Sequence, residues 1–157
     1  MRRSKNQEMI NSREEIIKRL RDYFDNNASL YGLEMVFLYG SWAKGFPRND
    51  SDIDIAVIFS NEPSSDDESF RNITSISLSL SQELDGEVNV IQIYQDFRKP
   101  MLYYNAIILG IPVYIKEKDK YARIKNDAIY YMEDYSIFGI DWQYEVATKN
   151  LEALRHA

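Results

Sequence analysis

Asp52 and Asp54 stand two residues apart at the head of an apolar run, and Gly40-Ser41 closes another apolar run twelve residues earlier. Alternate side chains of a strand share a face, so both carboxylates would point one way and Ile53 the other. Two anions so close repel unless a cation lies between them. Hard, oxygen-ligated Mg2+ is the natural cation, and it typically keeps positions for phosphate oxygens. Glycine lets the chain turn sharply and come close to a ligand, and a turn of that kind offers backbone N–H groups and a serine hydroxyl to phosphate. Each piece also has a bland account, Asp-x-Asp as a solvated loop and Gly-Ser as an ordinary turn.

Positioning these residues falls to the runs around them. Met35 to Tyr39 is too short for a helix and is bounded by Gly40, which predicts a buried strand. Ile53 to Phe59 reads as a second buried strand whose near-continuous apolarity asks for cover on both faces. Between them Gly45, Pro47, Asn49 and Asp50 predict a loop, with one short helical turn near Ser41–Lys44. Upstream, Ser12-Arg13-Glu14-Glu15 has the form of a capping box, and Ile16, Ile17, Leu20, Tyr23 and Phe24 recur at helical spacing, predicting a helix from about Ser12 to Asn27. Downstream, Ser64-Ser65-Asp66-Asp67-Glu68 suits a helix start, followed by Phe70, Ile73, Ile76, Leu80 and Leu84 and a stop at Gly86. The alternation of Ile76, Leu78 and Leu80 suits a strand as well. Val88 to Tyr94 predicts a third strand, Pro100 to Leu109 a helix closed by Gly110, and Pro112 to Lys116 a short last strand. Two helices are expected around Tyr121–Tyr135 and Asp141–Leu154.

The order α-β-β-α-β-α-β-α-α makes an α/β fold, a small mixed sheet packed by helices, in a single domain over 1–157 with its core at about 30–116 and a helical tail at about 118–157. A chain of 157 residues is long enough to bury a core. It has no cysteine, which excludes disulfide frameworks, thiolate metal sites and cysteine nucleophiles and suits a reducing cytoplasm. No apolar segment follows the basic Met1-Arg2-Arg3 start, so a signal peptide is not expected, and no run is long enough to span a bilayer. The net charge of −6 argues against direct nucleic-acid binding but not against a nucleotide held through a metal ion.

The run Leu38-Tyr-Gly-Ser-Trp-Ala-Lys-Gly, followed by Ser51-Asp-Ile-Asp-Ile-Ala-Val, resembles the signature of the polymerase-β-type nucleotidyltransferases. Within that superfamily the chain looks most like the minimal nucleotidyltransferases, which include antitoxins paired with HEPN-domain toxins. The resemblance spans Met35 to Phe59 and continues more loosely through Lys116. It implies that Gly40 and Ser41 hold the phosphates of ATP, with Lys44 as a further phosphate contact or a snorkelling surface lysine. Asp52 and Asp54 would be the catalytic carboxylates and bind Mg2+. The reaction implied is attack of a hydroxyl on the α-phosphate of ATP, the acceptor being a tyrosine of a cognate HEPN toxin. Two alternatives stay open: a small-molecule acceptor of the aminoglycoside type, and a non-catalytic antitoxin that neutralises its partner by binding.

One position departs from the resemblance. The family's third carboxylate falls at Asn89, which as a metal ligand offers only a neutral carbonyl and cannot act as a general base. Glu87, on the same face of that strand, would have to substitute or is only a charged strand end. Tyr130, Tyr131, Tyr135, Phe138 and Trp142 form an aromatic group in the tail, read as core packing or as a partner surface. His156, the one histidine, reads as part of a frayed end, and Arg48 as a solvated side chain.

Overall fold

The computed structural model describes the backbone of residues 2–45, 47 and 51–156, and the side chains of all of these except 2–11 and 138–143. In chain order the elements are α1 (Arg2–Asn27), β1 (Leu33–Tyr39), α2 (Ser41–Lys44), β2 (Ile53–Phe59), α3 (Asp66–Leu84), β3 (Val88–Gln92), α4 (Pro100–Ile107), β4 (Ile111–Ile115) and α5 (Lys118–Arg155). The strands form one mixed sheet in the order β3-β2-β1-β4. β1 pairs antiparallel with β2 and with β4, while β2 and β3 run parallel. Among the described residues no helix is long and apolar enough to cross a membrane.

Both faces of the sheet are covered, as the apolarity of β2 requires. Ile53, Ile55, Val57 and Phe59 turn to one face, where Leu20 and Phe24 of α1 and Ile76, Leu80 and Leu84 of α3 close over them. Ala56 and Ile58 turn to the other, against Tyr103, Ala106 and Ile107 of α4 and Ala128 of α5. Asp54 shares the parity of Ala56 and Ile58, so the carboxylates lie at the end of the α4–α5 face.

α3 resolves the strand-like alternation in its sequence. Ile76 and Leu80, four apart, are buried, while Leu78 between them is 62% exposed, the outcome of a 3.6-residue period. Ser65 caps its start by accepting from the Glu68 N–H at 3.2 Å, and the Glu68 carboxylate accepts from the Ser64 hydroxyl at 2.8 Å. Its end is set by Asp85, in the left-handed region at φ 51°, one residue before the glycine expected to stop it.

Three expectations are corrected. α1 starts at Arg2, leaving Ser12 exposed inside the helix. A capping signal is worth about 1 kcal/mol, and nothing from Arg2 to Asn11 is a proline or glycine that would stop propagation. The two tail helices are one, α5, which runs through Gly139. A glycine inside a helix costs only about 1 kcal/mol, and there is no proline to break it. β3 ends at Gln92, not Tyr94, although the Ile93 N–H still donates to the Val57 carbonyl at 2.9 Å.

Candidate active site

Strand register brings the carboxylates together with the third strand. Asp54 lies opposite Tyr39 on β1 and opposite Asn89 on β3. Asp52 precedes β2, its strand fixed to β3 through the Ile53 N–H donating to the Glu87 carbonyl at 3.0 Å. The Asn89 amide Nδ2 donates to Asp52 Oδ2 at 3.1 Å and to Asp54 Oδ1 at 3.4 Å. The expected trio of Asp52, Asp54 and Asn89 is therefore one cluster.

Electrostatics follows from that packing. Burial pushes the Asp54 carboxyl above its ordinary value, the Asp52 charge pushes it further, and the Asn89 hydrogen bond pulls it back. Burial, with the Asp54 charge added, pushes the Tyr39 phenol up to about 12, so this hydroxyl keeps its proton beside the carboxylates.

The donor set fits a hard divalent cation: two carboxylates converge, and the Asn89 amide, rotated by half a turn, presents its carbonyl oxygen where its NH2 now stands. Among the described residues no group of three or more His, Cys, Asp or Glu side chains is gathered as a metal site, and Glu87 is not gathered with Asp52 and Asp54.

Gly40 closes the site from β1. Its φ of 74° belongs to the left-handed region, and a Cβ there would run into Asp54 Oδ2, so only glycine lets the turn lie against the carboxylate. Ser41 begins α2 directly after it, and Lys44 lies exposed in the last turn of α2. Two ties hold this turn. The Arg13 guanidinium, from α1, donates to the Trp42 carbonyl at 2.9 Å and to the Ala43 carbonyl at 2.8 Å. The Trp42 indole N–H donates to the Ser51 carbonyl at 3.2 Å, one residue before Asp52. Arg13, Trp42 and Tyr39 were not foreseen as site residues. Trp42 carried a signal, an indole donor that needs a partner when partly buried. Arg13 carried none, because its partners are main-chain carbonyls of a distant segment.

The remaining candidates lie elsewhere. Tyr131 stacks on Phe97 with ring centroids 4.9 Å apart and meets the Tyr130 ring edge-on, while all three tyrosines, Tyr130, Tyr131 and Tyr135, remain exposed. The side chains of Phe138 and Trp142 and the whole of Arg48, Asn49 and Asp50 fall outside the described residues. His156 is exposed beyond the end of α5.

A sheet carrying Asp-x-Asp at a strand start, faced by a Gly-Ser turn from the neighbouring strand, is the arrangement of a nucleotidyltransferase. The chain belongs to the family "Polymerase beta, Nucleotidyltransferase", whose model matches residues 14–119. No curated protein matches it by sequence. Solved structures do match it in fold. A mutant of the toxin–antitoxin MntA–HpeT superposes with a TM-score of 0.58 at 19% identity, covering 85% of this chain and 94% of that one. A toxin–antitoxin with AMP-PNP gives 0.56 at 20% identity, over 85% and 94%. A tri-AMPylated Shewanella oneidensis HEPN toxin in complex with MNT antitoxin gives 0.52 at 19% identity, over 88% and 95%.

Proposed function

We propose that this nucleotidyltransferase moves AMP from ATP to a tyrosine hydroxyl of a cognate HEPN-domain toxin and so acts as its antitoxin. The observation that carries the reading is the convergence of Asp52, Asp54 and Asn89 beside the Gly40 turn. The toxin–antitoxin structures of the same fold, one with AMP-PNP and one with an AMPylated HEPN toxin, support the choice of nucleotide and acceptor.

In this reading Asp52 and Asp54, with the Asn89 carbonyl, hold Mg2+, which when bound supplies positive charge to the triphosphate. Gly40 and Ser41 present main-chain N–H groups and a hydroxyl to phosphate oxygens, and Lys44 is an exposed positive charge at the rim. Arg13 and Trp42 keep that turn in place relative to Asp52. The acceptor oxygen bonds to the α-phosphorus, the bond from that phosphorus to the bridging oxygen breaks, pyrophosphate leaves, and the acceptor's proton passes to solvent. Positioning and charge do most of the work, as in phosphoryl transfer generally.

Asn89 favours a second reading, an antitoxin that acts by binding alone, because a neutral third donor holds a divalent ion less firmly than a carboxylate. Incubation with labelled ATP, Mg2+ and the partner toxin, followed by intact-mass measurement, decides between them. A gain of AMP on the toxin supports transfer. A stable complex without mass gain supports binding alone.

A further inference from the structure

α5 is 38 residues long, about 57 Å at 1.5 Å per residue, and the family match ends at residue 119. Almost all of this helix therefore lies beyond the matched nucleotidyltransferase segment. Its first turns face the sheet: Tyr121 and Ile124 pack there and Ala128 is buried. Every described residue from Tyr144 to His156 is exposed.

The exposed part has a heptad pattern. Ile137, Tyr144 and Leu151 recur every seven residues, and Ala147 and Leu154 follow the last two by three, the a and d positions of a coiled-coil seam. Ile137 is 62% exposed, Tyr144 74%, Leu151 63% and Leu154 75%. At about 100° per residue, Ile137, Tyr144 and Leu151 lie on the side of the helix away from Ala128, while Ala147 and Leu154 lie about a quarter turn from it. Glu133 occupies the d position before Ile137 and limits the seam at that end.

We propose that this seam pairs with the α5 of a second copy of the chain, antiparallel, in a homodimer. Centred between Glu145 and Val146, the antiparallel register sets Ile137 opposite Leu154 and Tyr144 opposite Ala147. Both of these layers, built from described residues, are apolar, and the large tyrosine meets the small alanine. The same register puts Asp134 of each copy beside Arg155 of the other, one ion pair at each end of the seam. A parallel pair would stack Tyr144 on Tyr144 and set Asp134 and Arg155 beside Ile129 and Asn150, with no charge match. Charge and size complementarity both select the antiparallel pair of identical chains.

Sedimentation of the full chain over a concentration series tests this. The expected result is a mass that rises from one chain toward two with concentration. Tyr144→Lys with Leu151→Lys abolishes the rise. Asp134→Arg weakens association at least about fivefold, since it removes two exposed ion pairs worth about 0.5 kcal/mol each and sets like charges in their place, and adding Arg155→Asp restores it. Circular dichroism checks that each variant remains helical, and because Asp134 and Arg155 are exposed, the charge swap reads pairing without threatening the fold. A chain that stays monomeric throughout, or a dimer indifferent to Tyr144→Lys with Leu151→Lys and to the charge swap, overturns the proposal. So does a monomer that uses Tyr144 and Leu151 only to bind the toxin, which would assign the seam to that partner.

Discussion

At Asp54 burial, the neighbouring Asp52 charge and the Asn89 hydrogen bond act together, the first two raising its pKa and the last lowering it. A carboxyl with a raised folded-state value binds protons more tightly folded than unfolded. Stability therefore falls as pH rises through the interval between the unfolded and folded values, and it stays lowered at neutral pH. Asp54→Asn is expected to raise the melting temperature near pH 7 and to leave it unchanged near pH 3, where both forms are neutral. Equal melting shifts at both pH values would mean that ionisation of Asp54 costs no stability. Asp52→Ala with Asp54→Ala should fold normally and lose all metal-dependent AMP transfer, measured as labelled AMP on the acceptor; retained transfer would move the site elsewhere. Asn89→Asp places a third carboxylate opposite Asp54. It should lower the melting temperature without Mg2+, through added repulsion, and give a larger Mg2+-induced rise than the natural chain shows. A smaller rise would mean that the amide is already the better donor. The two aspartates and Gly40 were legible in the sequence because strand parity and the need for a close turn are local properties. The hydrogen bonds of Asn89 were not, since they depend on the register between β2 and β3.

Among the elements, α2 is the one that local sequence explains least. A single turn of four residues has little stability of its own, because nucleation costs more than one turn returns. Its Gly40 start has no side-chain cap, and its last carbonyls need donors. Arg13 supplies them from α1, and Trp42 then ties α2 to Ser51. Arg13→Ala should loosen the Gly40-Ser41 turn while leaving the carboxylates untouched. The expected result is a rise of about tenfold in KM for ATP with a smaller change in kcat, because misplacing a positioning group by a fraction of an ångström is costly. Arg13→Lys, with one charge but no fork, should recover only part of it. An unchanged KM for Arg13→Ala would leave the residue a purely structural role. The strands and α3 were readable from periodicity, and the unbroken α5 was not, because a lone glycine in a polar, aromatic stretch is compatible with either one helix or two.

On the scale of the whole molecule, charge is the property that the sequence states most directly and the fold only distributes. The net charge is −6. Part of it is concentrated in the first turn of α3, at the exposed Asp66 and Asp67 and the half-buried Glu68. Under the proposed function a toxin that presents a basic face to this acidic chain would be steered by charge, and association should slow as salt rises, once the Debye length drops to about 8 Å and below. The structure restricts which residues can test this. Glu68 is engaged with Ser64, and its own N–H is held by Ser65, so reversing it would undo the start of α3. Asp66 and Asp67 carry no such hydrogen bond to the cap. Their reversal turns a favourable interaction with the helix dipole into an unfavourable one, about 1 kcal/mol each in all. Asp66→Lys with Asp67→Lys should therefore cost a few degrees of melting temperature at most and lower the association rate with the toxin several-fold. The dissociation rate should stay nearly constant, because charges at the rim act on encounter more than on the docked state. Stopped-flow binding over a salt series measures both rates. An association rate indifferent to salt and to the reversal would place the acidic turn away from the approach path, while the chemistry assigned to Asp52 and Asp54 would stand or fall separately on AMP transfer.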